Sequence, residues 1–169
     1  TGLITYMRTD STRISNEARS AAKEHIVNKY GENYYENRFY KTKSEAQDAH
    51  EAIRPSHIEL TPEQIKDSLT PDQYKLYRLI YNRFMASQMS SAIYDTVSVS
   101  IDGNDYNFKA TGQTLKFKGY MTLYVEDEEK EEFEKIPELK VGEEVKKEAI
   151  DAKQSFTEPP PRYTEASLV

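Results

Sequence analysis

The sequence contains no cysteine, so it can form neither a disulfide framework nor a thiolate zinc site, which agrees with a reducing cytoplasm. It also lacks any apolar run approaching the ~20 residues of a membrane-spanning helix, and no secretory signal is visible. A soluble, intracellular chain is the expectation. Apolar residues are scarce, at 37% against 31% charged, which argues against one thick core and for an elongated or incomplete body. A length of 169 residues fits one ordinary domain or two small ones. There is no internal repeat, and no low-complexity tract beyond one acidic run.

Positive charge is not in excess either, since the formal net charge is −6. The acidity is concentrated, however. Residues 126–135 hold seven acids and two lysines, whereas residues 1–60 hold nine of each sign and residues 61–125 hold six acids and seven bases. The run reads as a solvated loop that repels polyanions, so the overall sign does not exclude a nucleic-acid partner elsewhere on the chain.

What the sequence does have is a dense N-terminal stretch, Gly2-Leu3-Ile4-Thr5-Tyr6-Met7-Arg8-Thr9-Asp10-Ser11-Thr12. Ile4, Thr5, Tyr6 and Thr9 favour an extended backbone. Alternation along a strand would then put Ile4, Tyr6, Arg8 and Asp10 on one face and Thr5, Met7 and Thr9 on the other. A phenol, a guanidinium and a carboxylate together suit attack on a phosphodiester. The phenolic oxygen can form a covalent phosphoryl intermediate. The guanidinium can hold two phosphate oxygens in its fork and stabilise the charge that develops on them. Asp10 could orient the guanidinium or relay a proton. In a chain with 13 tyrosines, the pattern taken alone fits packing plus a surface charge as well.

A second constellation lies at Asp48-Ala49-His50-Glu51-Ala52-Ile53-Arg54-Pro55. Read as one helical turn that Pro55 terminates, it puts His50 and Arg54 on one face, where an imidazole and a permanent cation could bind phosphate. The alternative for His50 is a hydrogen-bonded surface histidine. The run is not a His-Glu-x-x-His zinc motif, because Arg54 occupies the place of the second histidine and cannot ligate zinc.

Elsewhere the pattern predicts a helix capped by Ser15 and ended by Gly31, with His25 packed on its apolar stripe. Residues 32–47 read as loop and His57 as surface. Thr61-Pro62-Glu63-Gln64 and Thr70-Pro71-Asp72-Gln73 predict two capped helices, the second reaching about Met89 with an aromatic core-facing stripe. From Ala92 the period changes to two, predicting a hairpin that turns at Asp102-Gly103-Asn104-Asp105. More sheet is expected over Leu115–Val125 and from Val141 to Phe156. Lys116 and Lys118 would share a strand face, solvated or meeting a phosphate backbone. Pro159-Pro160-Pro161 reads as a stiff linker, and Thr164 as the cap of a beginning helix. Both ends look cut, so a piece of a larger polypeptide is expected. The fold class is α+β, a mainly helical N-terminal half followed by an antiparallel β-rich half.

The stretch Gly2–Thr12 closely resembles the active-site signature of type IA DNA topoisomerases, in their bacterial topoisomerase I branch. Ala49-His50-Glu51-Ala52-Ile53-Arg54-Pro55 is similar to a second block of that family at about the family's spacing, and Phe156–Val169 to a third. Ala110-Thr111-Gly112 with Leu115-Lys116-Phe117 also looks like the family, so the resemblance covers nearly the whole chain.

By resemblance, Tyr6 would attack single-stranded DNA and carry its 5′ phosphate, Arg8 would contact the scissile phosphate, and His50 would contribute to DNA contact. Asp10 and Arg54 would be supporting or DNA-binding residues. The resemblance implies a fragment of a toroidal fold: residues 1–90 the later part of a helical gate domain, 91–160 part of a β-rich arch, and 161–169 the start of the next ring segment. It also implies ATP-independent relaxation of negatively supercoiled duplex DNA by a cytoplasmic, nucleoid-associated enzyme. Mg²⁺ would be held by a TOPRIM domain that has no counterpart here, so no cofactor is expected in this fragment and the fragment alone is expected to be inactive. Its partners would be DNA, the missing domains of the same polypeptide and, through unpaired strands, a domain-swapped copy of itself. The competing readings are a non-catalytic single-strand DNA-binding module and a structural or protein-interaction fragment.

Overall fold

The computed structural model describes residues 2–9, 11–40, 50–124 and 136–167. The chain divides into two compact units, residues 1–136 and residues 137–169. Asp10 and the acidic run at 126–135 lie outside the described residues.

In the first unit, helix α1 (Asn16–Tyr30) begins where Ser15 Oγ accepts from the Ala18 amide, and it stops at Gly31, whose φ of 102° is open to glycine. A 3₁₀ turn follows at Glu32–Tyr34. Helix α2 (Pro62–Ile65) and helix α3 (Pro71–Ser87) each start with a threonine cap, a proline in the first turn and a reciprocal glutamine. At α3, Thr70 Oγ1 accepts from the Gln73 amide at 3.3 Å while Gln73 Oε1 accepts from the Thr70 amide at 3.0 Å. These two bonds satisfy two of the donors a helix start leaves orphaned.

Ala18, Ala22 and Ile26, spaced four apart on α1, join Ile58 and the α3-side residues Tyr77, Tyr81, Phe84, Met85 and Met89 in one buried cluster. The aromatic stripe of α3 is therefore core, as its spacing predicts. The two buried tyrosine hydroxyls donate to backbone: Tyr77 to the Leu60 carbonyl and Tyr81 to the Ile58 carbonyl, both at 2.8 Å. That pairing removes the penalty of burying a hydroxyl and fixes the segment leading back towards Pro55. His25 packs edge-on against Tyr81, with ring centroids 6.3 Å apart. Burial, and then the charge of Lys29, hold its imidazole below the usual histidine range.

Strands β1 (Ile93–Gly103) and β2 (Tyr106–Phe117) form an antiparallel hairpin in the register Val97↔Gly112, Val99↔Ala110 and Ile101↔Phe108. The turn between them uses Asn104 at φ 53°, a conformation asparagine tolerates. The root of the hairpin is tied to the helical body. The Ser90 amide donates to the Tyr34 carbonyl at 2.8 Å, the Tyr120 amide donates to the Ser90 carbonyl at 2.9 Å, and the Phe117 and Tyr34 rings lie 4.7 Å apart. Lys116 pairs with Asp95 across the strands at 3.5 Å.

One sheet expectation holds only over Leu115–Phe117, with Val125 outside the described residues, and another fails, each for an identifiable reason. β2 ends at Phe117, and Gly119–Thr122 form a 3₁₀ turn rather than a further strand. Gly119, at φ 49°, lets the chain fold back tightly enough for Tyr120 to bond Ser90. In the second unit, residues 141–156 form no strand. Val141, Val145 and Ile150 there are exposed, and a strand without a partner has nowhere to place its backbone bonds. That unit holds a turn at Gly142 and a 3₁₀ turn at Glu165–Ser167, where the Thr164 amide donates to Ser167 Oγ at 2.8 Å.

Candidate active site

The site is assembled by pairing two stretches about fifty residues apart. Ile4 and Pro55 form an antiparallel bridge, flanked by the Thr5 amide donating to the Arg54 carbonyl and the Ser56 amide donating to the Leu3 carbonyl, both at 2.9 Å. Further along, the Ala52 amide donates to the Arg13 carbonyl at 2.8 Å. Two hydroxyls rivet the same seam. Thr5 Oγ1 donates to the Ala52 carbonyl at 2.8 Å and accepts from the Arg54 amide at 3.0 Å. The buried Ser11 donates to the His50 carbonyl at 2.7 Å and accepts from the Arg13 amide at 3.3 Å.

This pairing overturns the expectation of a helical turn at the second block. Residues 50–55 run non-helically, because their backbone groups are committed to residues 3–13 and Pro55 disfavours the helical region for Arg54. His50 and Arg54 therefore have different partners. Arg54 donates through Nε and Nη2 to Glu51 Oε2, at 3.1 and 2.5 Å, and through Nη1 to the Pro55 carbonyl at 2.9 Å. Its guanidinium closes the turn of its own block.

His50 instead meets Arg8, with Arg8 Nη1 3.4 Å from His50 Nε2. A guanidinium only donates, so Nε2 accepts in this contact and the proton of a neutral ring resides on Nδ1. Nδ1 is buried and has no hydrogen-bond partner among the described residues. Tyr6, two residues before Arg8, is 79% exposed, and its hydroxyl finds no partner among the described residues. The structure thus brings Arg8 and His50 together beside an open tyrosine and sends Arg54 elsewhere. Asp10 lies outside the described residues. Among the described residues no three His, Asp or Glu side chains gather as a metal-ligating group.

Sequence reasoning missed Thr5, Ser11 and Glu51. The Ser11-x-Arg13 hydroxyl-to-amide turn was the one local signal for Ser11. The long-range acceptors of Thr5 and Ser11, in residues 50–54, have no local signature. His25 and His57 have structural partners, Tyr81 and Glu59 respectively.

The family model for DNA topoisomerases matches residues 1–169. Among solved structures, full-length topoisomerase I from Thermotoga maritima is similar over 77% of this chain at 39% sequence identity, with a TM-score of 0.63. The match spans 21% of that protein's length. With the N-terminal stretch around Thr5 and the His50 block paired in one seam, and with the family model matched over residues 1–169, the chain belongs to the bacterial type IA DNA topoisomerases.

Proposed function

We propose that this chain is the nucleophile-bearing segment of an enzyme that relaxes negatively supercoiled DNA, with Tyr6 as the attacking group and Arg8 as the group that binds the scissile phosphate. The observation that carries this reading is an open phenol two residues from a guanidinium held against His50. The Tyr6 oxygen attacks phosphorus, the bond from phosphorus to the 3′ oxygen breaks, and that oxygen leaves as a hydroxyl after taking a proton. The reverse attack by the 3′ hydroxyl reseals the strand and frees the phenol. One phosphodiester is exchanged for another, so no ATP is required, and supercoiling supplies the direction.

Arg8 favours this exchange by donating hydrogen bonds to phosphate oxygens as charge develops on them. His50, accepting from Arg8 Nη1, helps hold the guanidinium in place. Arg54, engaged with Glu51, supports the block. Among the described residues no three His, Asp or Glu side chains form a group that could hold a metal ion; as the family resemblance implies, a TOPRIM domain of the parent polypeptide would hold the magnesium, and no step here is routed through it. Single-stranded DNA is the substrate at the site, and the cytoplasmic nucleoid is where such an enzyme would work. The domain division at 90 and 160 is retained as part of this proposal.

The test is Tyr6→Phe in the full-length parent, with a labelled oligonucleotide and a denaturing gel. Loss of the protein-linked DNA with oligonucleotide affinity preserved is the expected result. A covalent adduct that survives the substitution refutes the assignment. The isolated chain is expected neither to cleave nor to relax a supercoiled plasmid, and relaxation by the purified chain would overturn that expectation.

A further inference from the structure

We propose that Thr5 is a positioning residue that ends the backbone ladder immediately before the nucleophile and so turns Tyr6 outward; this rests on the reading of Tyr6 as the attacking group. In a regular antiparallel pair, residues 5 and 54 would exchange two backbone bonds, each amide donating to the other's carbonyl. Only one is made. The Thr5 amide donates to the Arg54 carbonyl at 2.9 Å, but the Arg54 amide donates to Thr5 Oγ1 at 3.0 Å instead of to the Thr5 carbonyl. The hydroxyl has taken the place of the main-chain acceptor. Its own hydrogen goes to the Ala52 carbonyl at 2.8 Å, which an extended ladder would offer to the amide of residue 7.

One side chain therefore takes the Arg54 donor and engages the Ala52 acceptor that a continuing strand would use, while the Ala52 amide is committed to the Arg13 carbonyl. Pairing stops at Thr5, and the next residue is the 79% exposed Tyr6. Had the ladder continued, Tyr6 and Met7 would be drawn against residues 52–53, and the phenol would be confined to one face of a paired strand. Among the described residues, bonding to the main chain of residues 50–52 resumes at Ser11 and Arg13. Tyr6 and Met7 thus form a short bow between the paired Thr5 and the Arg8 side chain held against His50, and Thr5 sets its near end.

The test compares Thr5→Val, which keeps the shape and loses the hydroxyl, with Thr5→Ser, which keeps the hydroxyl, in the full-length parent. Single-turnover formation of the covalent adduct, oligonucleotide affinity and Tm are measured for each. Thr5→Val is expected to slow adduct formation ~10- to 100-fold, the scale of an ångström-level misplacement of a reacting group. Affinity should stay within about twofold, and Thr5→Ser should recover the rate to within about threefold. If Thr5→Val does not fold, Thr5→Ala against Thr5→Ser gives the same comparison. Adduct formation at the unaltered rate in Thr5→Val, while Tyr6→Phe forms none, overturns the positioning role and leaves Tyr6 as nucleophile. An adduct that persists in Tyr6→Phe overturns both. A Thr5→Ser variant as slow as Thr5→Val also overturns the proposal, because the methyl rather than the hydroxyl would then be what matters.

Discussion

Replacing Gly119 with alanine would place a methyl carbon against the carbonyl oxygens of Ser90 and Ser91, 2.5 Å from the latter, at a backbone φ of 49°. Three costs then add. A non-glycine residue in the left-handed region costs about 1 kcal/mol. Relieving the overlap requires the backbone of Ser90 or Gly119 to shift, at roughly 1–3 kcal/mol. That shift breaks the 2.9 Å bond from the Tyr120 amide to the Ser90 carbonyl, worth about 1 kcal/mol. The total is about 4 kcal/mol, which for a chain of this size lowers Tm by roughly 10 °C. The assay is a thermal melt followed by circular dichroism, with Gly142→Ala as control for the backbone cost alone, since φ there is also positive, at 82°, but the methyl group meets nothing within 4 Å. A Gly119→Ala variant melting within about 2 °C of the parent chain would refute the view that this close approach ties the hairpin to the helices.

Ile26 is fully buried between α1 and the α3 cluster, so Ile26→Ala should destabilise the chain by about 2–5 kcal/mol in urea unfolding, with an unchanged m value if the fold is kept. Tyr81→Phe deletes the donor to the buried Ile58 carbonyl and should cost about 1–3 kcal/mol by the same measurement, while an exposed hydroxyl such as that of Tyr106 should be removable with little effect. For His25, the folded chain holds the imidazole below its ordinary value of 6.5, so the unfolded chain binds the proton more readily. The contribution is complete above 6.5 and is lost as pH falls below it, and His25→Phe should flatten the slope of unfolding free energy measured between pH 7.5 and pH 5.

Local chemistry made the helices legible. The Ser15 cap, the Gly31 stop and the reciprocal Thr70–Gln73 bonds each act within four residues, so sequence spacing carries them. The hairpin was equally plain, because its register follows from alternation and a turn. The second block was misjudged because its conformation is dictated by residues 3–13, far along the chain, and a helical spacing of His50 and Arg54 says nothing about that partner. The strand expected over residues 141–156 failed for a related reason: alternation describes a face, but only a neighbouring strand realises it. In the site itself, Tyr6 and Arg8 stood out by chemical type. Thr5 and Ser11 did not, since a hydroxyl that bonds a carbonyl 39 to 47 residues away looks like any other small polar residue.

The bridge between Ile4 and Pro55 has a kinetic corollary. Bringing those two residues together closes a loop of about fifty residues, an entropic cost near 3.5 kcal/mol that no local contact offsets until α1 has folded within it. Two short peptides carrying only the paired stretches would lack that intervening framework and should fail to associate. Pairing of this seam is then expected late on the folding route, after the helices dock, and lesions in the distant core should delay it.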